Sequence, residues 1–288
     1  MSPTKCPSCK ARFGANVPGH DRHIQNLFGT PTLWAPTGEK YSWLACPSCG
    51  VRFMTVTDRP YAPGTNGNTY VHTVAAAYMN NAGLSPLVTT DHRRLTEREG
   101  REIAAFYEKA RSCPTDANVQ AAYEAFRDEV KAQHDALVQA GFKILPWDRP
   151  GQPYSCSEKM RHDVRENKQL YFFRTTEGKA AHSLLPAEDN DRFRAVHDIF
   201  GHAMGGHEFG PQGESNAFRD HYHMFTPTAR LALATETLGQ NAWFNYGDHN
   251  NGKPPAGRDF AEQKATILES SLYEDIVRAV VEVLGCEG

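Results

Sequence analysis

Two short motifs, KCPSCKARF around Cys6 and Cys9 and ACPSCGVRF around Cys46 and Cys49, constrain the start of the chain more tightly than anything else in it. Each presents two thiols from one tight turn, and two such turns supply the four sulfurs of a tetrahedral zinc site. Pro after the first Cys, and Lys or Gly after the second, suit a knuckle whose backbone amides point at sulfur. A pair of redox CxxC motifs, or unrelated thiols, is the competing reading. The matched knuckles favour metal, and so does an odd total of seven cysteines in a chain expected in a reducing compartment. A site closed by four thiolates holds structure and leaves no position for a reacting molecule.

The paired knuckles resemble those of zinc ribbons. The 36 residues between Cys9 and Cys46 exceed the usual separation of about 15–20, which implies an insertion holding His20, His23 and Trp34. Ribbons dock nucleic acid or protein, so DNA docking through this arm is one expectation. The reading divides the chain into a ribbon at 1–56, a Pro-, Gly- and Asn-rich linker at 57–68 (TDRPYAPGTNGN), and a domain at 69–288 with its core at about 154–270.

A net charge of −3 and a pI near 6.5 exclude a global basic field, though not a local basic groove. No apolar run approaches the roughly 20 residues of a membrane helix. The start MSPTKCPSCK lacks the apolar stretch of a secretory signal, so a cytoplasmic location is expected, that of the host if the chain is phage-encoded.

The fold class expected is mostly α with a few short strands (α+β). Tyr70 to Met79 is a short apolar segment, and Thr96 to Ala110 reads as a helix. Asp116 caps a longer helix to Ala140, stopped by Gly141. FKILPW (142–147) and LYFFRTT (170–176) read as strands, and Ser155 with Glu158 has the spacing of a capping box. Helices follow at about 190–203, 214–225 and 227–243, with a pair between 258 and 285.

Six of the thirteen histidines fall between His197 and His249, beyond what a helical core needs. His197 and His202 stand five apart, which on an ideal helix puts them about 140° from each other, so the backbone must deform for both to hold one ion. Gly201 permits that bend or ends the helix. Asp198 could orient a histidine from behind. Glu236, on the apolar run LALATETLG, needs a partner if buried, and a cation would supply one. Two histidines and a carboxylate form the facial triad of non-haem Fe(II) oxygenases.

HDIFGH has the His-acid-apolar-apolar-Gly-His pattern of the biopterin-dependent aromatic amino acid hydroxylases, and TETLGQ resembles the segment carrying that family's glutamate ligand. That resemblance implies iron ligands at His197, His202 and Glu236, and the second metal expected at this site is Fe(II) or Zn. A second resemblance covers more of the chain. EAFRDEV, GQPYSCSEKMRHDVREN, FRAVHDIFGHA, GPQGESNAF, TETLGQNAWFNYG and FAEQK look like an uncharacterised phage and mobile-element family. Its recurring polar residues match Glu214, Asn216, His221, Glu236, Gln240, Asn241 and Asn245, and its setting implies modification of DNA bases.

Glu214 and His221, seven apart, share a helix face and could form a general base or a second metal site. Gln240 and Asn241 could hold a planar base, or merely cap a helix. Trp243, Phe244 and Tyr246 could stack on a flipped base, though such rings are more often core. His207 and His223 are open between ligand, substrate contact and surface; His134, His162 and His182 read as structural or exposed. Cys113, Cys156 and Cys286 lie outside any metal spacing. The function expected is a metal-dependent enzyme acting on a nucleobase or similar small planar group, an Fe(II) oxygenase first. The alternatives are a methyl- or other group-transferase acting on a 7-deazaguanine-type base in DNA, an HD-type phosphohydrolase using His197–Asp198 with His162, and a non-catalytic zinc-containing binding protein.

Overall fold

The long segment that Asp116 opens is the beam on which the domain is assembled. Our computed structural model describes residues 67–84, 95–175 and 182–277, together with the backbone of 32–34, 39–45, 52–60 and 88–89. All seven cysteines except Cys113 and Cys156 lie outside the described residues, as do His20 and His23. The four-cysteine ribbon is therefore outside what the structure describes.

Strands β1 (Thr32–Trp34), β2 (Glu39–Ala45) and β3 (Arg52–Pro60) precede helix α1 (Thr69–Asn81) and strand β4 (Val88–Thr89). They form an antiparallel sheet in the order β3-β2-β1-β4. Residues 57–60, read from sequence as linker, continue β3 instead and pair with β2. Asn68 then caps α1, its Oδ1 accepting from the Tyr70 and Val71 amides at 3.0 and 3.2 Å.

Helix α2 (Glu97–Lys109) begins with a capping box between Thr96 and Glu99. In α3 (Ala117–Gln139) the Asp116 carboxylate accepts from the amides of Asn118 and Val119, satisfying two of the donors that every helix start leaves open. Val119, Tyr123, Phe126, Val130 and Leu137 line the buried stripe of α3. Phe126 meets Phe193 edge-on at 4.9 Å and stacks on Phe225 at 5.5 Å, joining α3 to the later helices. Gly141, at φ 87°, ends the turn after α3 in the left-handed region that favours glycine.

Strand β5 (Lys143–Pro146), helix α4 (Ser157–Asn167) and strand β6 (Gln169–Phe172) make one parallel crossover, with Lys143 opposite Gln169. Ser155 does not cap α4; Cys156 holds that position without a side-chain bond, and the Ser157 hydroxyl donates to Glu208 instead. The remaining helices are α5 (Ala187–Val196), α6 (Pro211–Tyr222), α7 (Pro227–Ala234), α8 (Gln240–Tyr246) and the short α9 (Glu274–Val277). Two π-helical segments interrupt them, His197–Ala203 after α5 and Thr235–Gly239 between α7 and α8. The chain as described is mostly helical, and no helix among the described residues is long and apolar enough to cross a membrane.

The helix pair expected between 258 and 285 is replaced over 258–269 by chain without regular structure. Its backbone groups are already bound by side chains of the helices beneath. Tyr107 Oη donates to the Glu262 carbonyl at 2.8 Å, Thr235 Oγ1 lies 3.2 Å from the Thr266 carbonyl, and the Leu268 amide donates to Thr235 Oγ1 at 2.9 Å. A peptide group engaged sideways in this manner is not free to enter a helical ladder. Thr235→Val keeps the shape and leaves the buried Leu268 amide unpaired. It should cost about 1–3 kcal/mol in urea unfolding and raise hydrogen exchange at Leu268.

Candidate metal centre

Helix α5 carries Phe193 and Val196 into the core and delivers His197 as the first residue of the π segment. In that segment the bonding pattern widens to i→i+5, which brings residue i+5 back over residue i. The deformation that the five-residue spacing demanded is thus the π turn itself. The two imidazoles meet edge-to-face with their centroids 5.3 Å apart. Gly201 stays helical rather than ending the helix, and its value is space: a Cβ there would lie 3.1 Å from the His197 ring and 3.2 Å from Ala217 Cβ.

The chain then reverses through Gly206 and Gly210, at φ 78° and 116°, into α6, which Pro211 opens. The reversal lays α6 against the π segment and brings Glu214 to the histidines. Glu214 Oε2 lies 3.3 Å from His202 Nε2 and 3.8 Å from His197 Nε2. One donor atom from each of His197, His202 and Glu214 falls within 4.8 Å of the others, the one such group of three metal-ligating side chains found among the described residues. His197 and His202 are buried, whereas the Glu214 side chain keeps 27% of its exposure, so the group is open on one side.

The charges agree with a cation site. Burial works against the Glu214 charge, yet His202 and His197 hold its carboxyl well below the usual carboxylate range. Burial likewise works against a charged His202, but Glu214, then Asp198 and the His207 carbonyl, outweigh it and raise its pKa. Burial pushes the Asp198 carboxyl up against the pull of His202 and His197. Two imidazoles and a carboxylate suit zinc, iron or manganese alike.

Behind the histidines, His221 of α6 contacts His197 Nδ1 through its own Nδ1 at 3.2 Å, and its Nε2 lies 2.7 Å from Gln133 Oε1. Burial, with His197 and His202 nearby, holds the His221 pKa well below the usual value. Glu214 and His221 do share a helix face, and they bracket the two nitrogens of one imidazole. At the rim, Arg161 of α4 donates to the His207 carbonyl and to Glu208, both at 2.8 Å, and fixes the loop that places Phe209 edge-on to His202. His207 Nε2 pairs with Asp220 at 2.7 Å, a contact possible because Gly205 has no Cβ.

Glu236, the carboxylate expected as third ligand, lies outside this group. It is buried in the second π segment, where a set of protein donors faces it. Tyr123 Oη lies 2.6 Å from its Oε1, Gln240 Nε2 donates to Oε2 at 2.6 Å, and His182 Nε2 stands 3.4 Å away. His182 Nδ1 accepts from the Leu184 amide, so its proton sits on Nε2, and that nitrogen cannot ligate a metal. Gln240 is spent on Glu236 and Gln263, and Asn241 accepts from Asn245 through its carbonyl and side-chain oxygens. Trp243 stacks on His249, Phe244 on Phe260, and Tyr246 packs where Gly100 leaves room. His162 is exposed on α4. A cleft of about 620 Å³ opens beside the start of α6, but its Arg101 is bound to Glu97 and Asp248, and its Gln212 to Leu95 and Asn216.

Overpacking a tight contact costs about 1–3 kcal/mol, and Gly201→Ala should lose that much stability in a denaturant titration. Burial pushes the Glu236 carboxyl from 4.5 up to about 7, against the Tyr123 and Gln240 donors and Arg194. A raised carboxyl binds its proton more tightly folded than unfolded. Its burial therefore goes unpenalised below pH 4.5, and stability is lost as pH climbs towards 7. Across that window wild type should lose stability relative to Glu236→Gln, on the order of 3 kcal/mol, in urea unfolding at stepped pH.

Comparison with protein-family models, with curated proteins and with solved structures gives no match to this chain.

Proposed function

We propose that the protein is a metal-dependent enzyme whose reacting centre is held by His197, His202 and Glu214. The observation that carries this reading is the convergence of three donor atoms within 4.8 Å on a site left open beside Glu214. Three protein ligands with an open side are the pattern of catalytic rather than structural metal sites. A divalent ion there supplies a Lewis acid, and Fe(II) in such a triad supplies oxygen chemistry. The exposed Phe209 ring beside His202 gives the mouth a flat apolar wall, which supports a small planar substrate such as a nucleobase.

The order of the alternatives follows from the same residues. An HD-type hydrolase needs Asp198 and an upstream histidine on the metal, but Asp198 is outside the group of three and His162 is exposed. A non-catalytic binding protein has no use for an open ligand set. A base-modifying group-transferase shares the planar substrate and differs in its second reactant. The four-cysteine zinc at Cys6, Cys9, Cys46 and Cys49 enters the proposal as a structural arm able to dock DNA.

Metal analysis of the full chain should find zinc at the four cysteines and a second ion bound through the triad. Glu214→Ala should lose the second ion and keep the zinc. Glu236→Ala should keep both and lose roughly 1–3 kcal/mol of stability, since Tyr123 and Gln240 each lose their shorter hydrogen bond. If Glu214→Ala keeps full metal content, the centre is not where we place it. Oxygen uptake by the iron-loaded chain with nucleosides or DNA separates the oxygenase from the transferase.

A further inference from the structure

The hydrogen bonds behind His197 are all directed from one end, and the starting point is a backbone carbonyl. Gln133 of α3 is wholly buried and turns its two amide ends to different partners. Its Nε2 donates to the Met224 carbonyl at 3.2 Å. A carbonyl can only accept, so the nitrogen must face Met224 and Oε1 must face His221. That oxygen also only accepts. At 2.7 Å it requires the His221 proton to sit on Nε2.

His221 is itself fully buried, between an amide and another imidazole, where a neutral ring is favoured. A neutral ring with its proton on Nε2 has a lone pair on Nδ1. His221 Nδ1 faces His197 Nδ1 at 3.2 Å, and one of the two must donate. Only His197 is left to do so. With its proton on Nδ1, the neutral His197 ring, the form that can bind an ion, presents a bare lone pair at Nε2, the nitrogen that faces Glu214.

We infer that Gln133 is a positioning residue for the metal centre: through His221 it holds His197 in the tautomer that offers Nε2 to the ion, an inference that rests on the proposed centre. No proton is gained or lost in the chain; only its direction is set. Free imidazole divides itself between two tautomers, and a metal must displace the proton of the wrong one. Outer partners that fix ring tautomers typically contribute 10–100-fold to metal affinity.

Two measurements on the full chain test this. Ring-nitrogen correlation spectra, recorded before metal is added, report where each histidine proton sits. His197 should carry its proton on Nδ1 and His221 on Nε2. Binding of Mn²⁺, an ion that four thiolates do not favour, is then followed by loss of its free-ion resonance. Gln133→Met, equal in length but without an acceptor, should let the His197 proton spread to Nε2 and weaken Mn²⁺ binding roughly 10–100-fold. Wild type that binds Mn²⁺ with the tautomers reversed overturns the role of Gln133 and leaves the centre standing. Wild type with these tautomers that binds no Mn²⁺ overturns the centre itself. A folded Gln133→Met chain with unchanged tautomers and affinity overturns the inference, and the wild-type spectra decide the matter should that variant not fold.

Discussion

A neutral imidazole has one donor and one acceptor, on opposite edges of a ring, and most of the architecture around His197 answers to that constraint. Nδ1 must be met by an acceptor on the core side and Nε2 must be left bare on the open side. Helix α6 satisfies both demands at once because Glu214 and His221 are two turns apart on one face. For α6 to lie there it must reverse within a few residues of the π segment, hence the glycines at 206 and 210. For it to lie close enough, Gly201 must have no side chain. The ring is therefore held by backbone choices made on either side of it as much as by its neighbours Phe193 and His221.

The two π segments serve opposite ends. The first brings two ligands onto one face and leaves them beside solvent-accessible Glu214. The second turns Glu236 inward against Tyr123, Gln240 and His182, where a carboxyl is sealed from water and satisfied by protein donors. Both departures from α geometry occur where a polar side chain must be aimed at a place that regular winding would miss.

Much of the helical layout was legible because it is written locally. The Asp116 cap, the stripe of α3 and the Gly141 stop lie within one continuous segment and need no knowledge of the rest. The distortion at His197 and His202 was legible from arithmetic alone. What escaped the sequence depended on contacts between distant segments. Sequence reads Glu236 as a ligand because burial demands a partner, and it does not reveal that Tyr123, 113 residues earlier, faces that carboxylate. Glu214 could be placed on a face with His221, but only the reversal between α5 and α6 shows that this face meets the histidines. The chain from 258 to 269 has helical composition and loses its helix to Tyr107 and Thr235, whose positions no local pattern reveals.

Tyr123 and Gln133 stand on the same helix, ten residues and about 15 Å apart along its axis. One serves the sealed carboxyl, the other the imidazole relay. A helix turns by about 100° per residue, so inserting or deleting one residue between them would rotate one partner off its site while the other stayed in register. The stretch 123–133 is thus a gauge of fixed length: its exposed positions, Glu124, Asp128, Lys131 and Ala132, are free to drift in sequence, but its residue count is not.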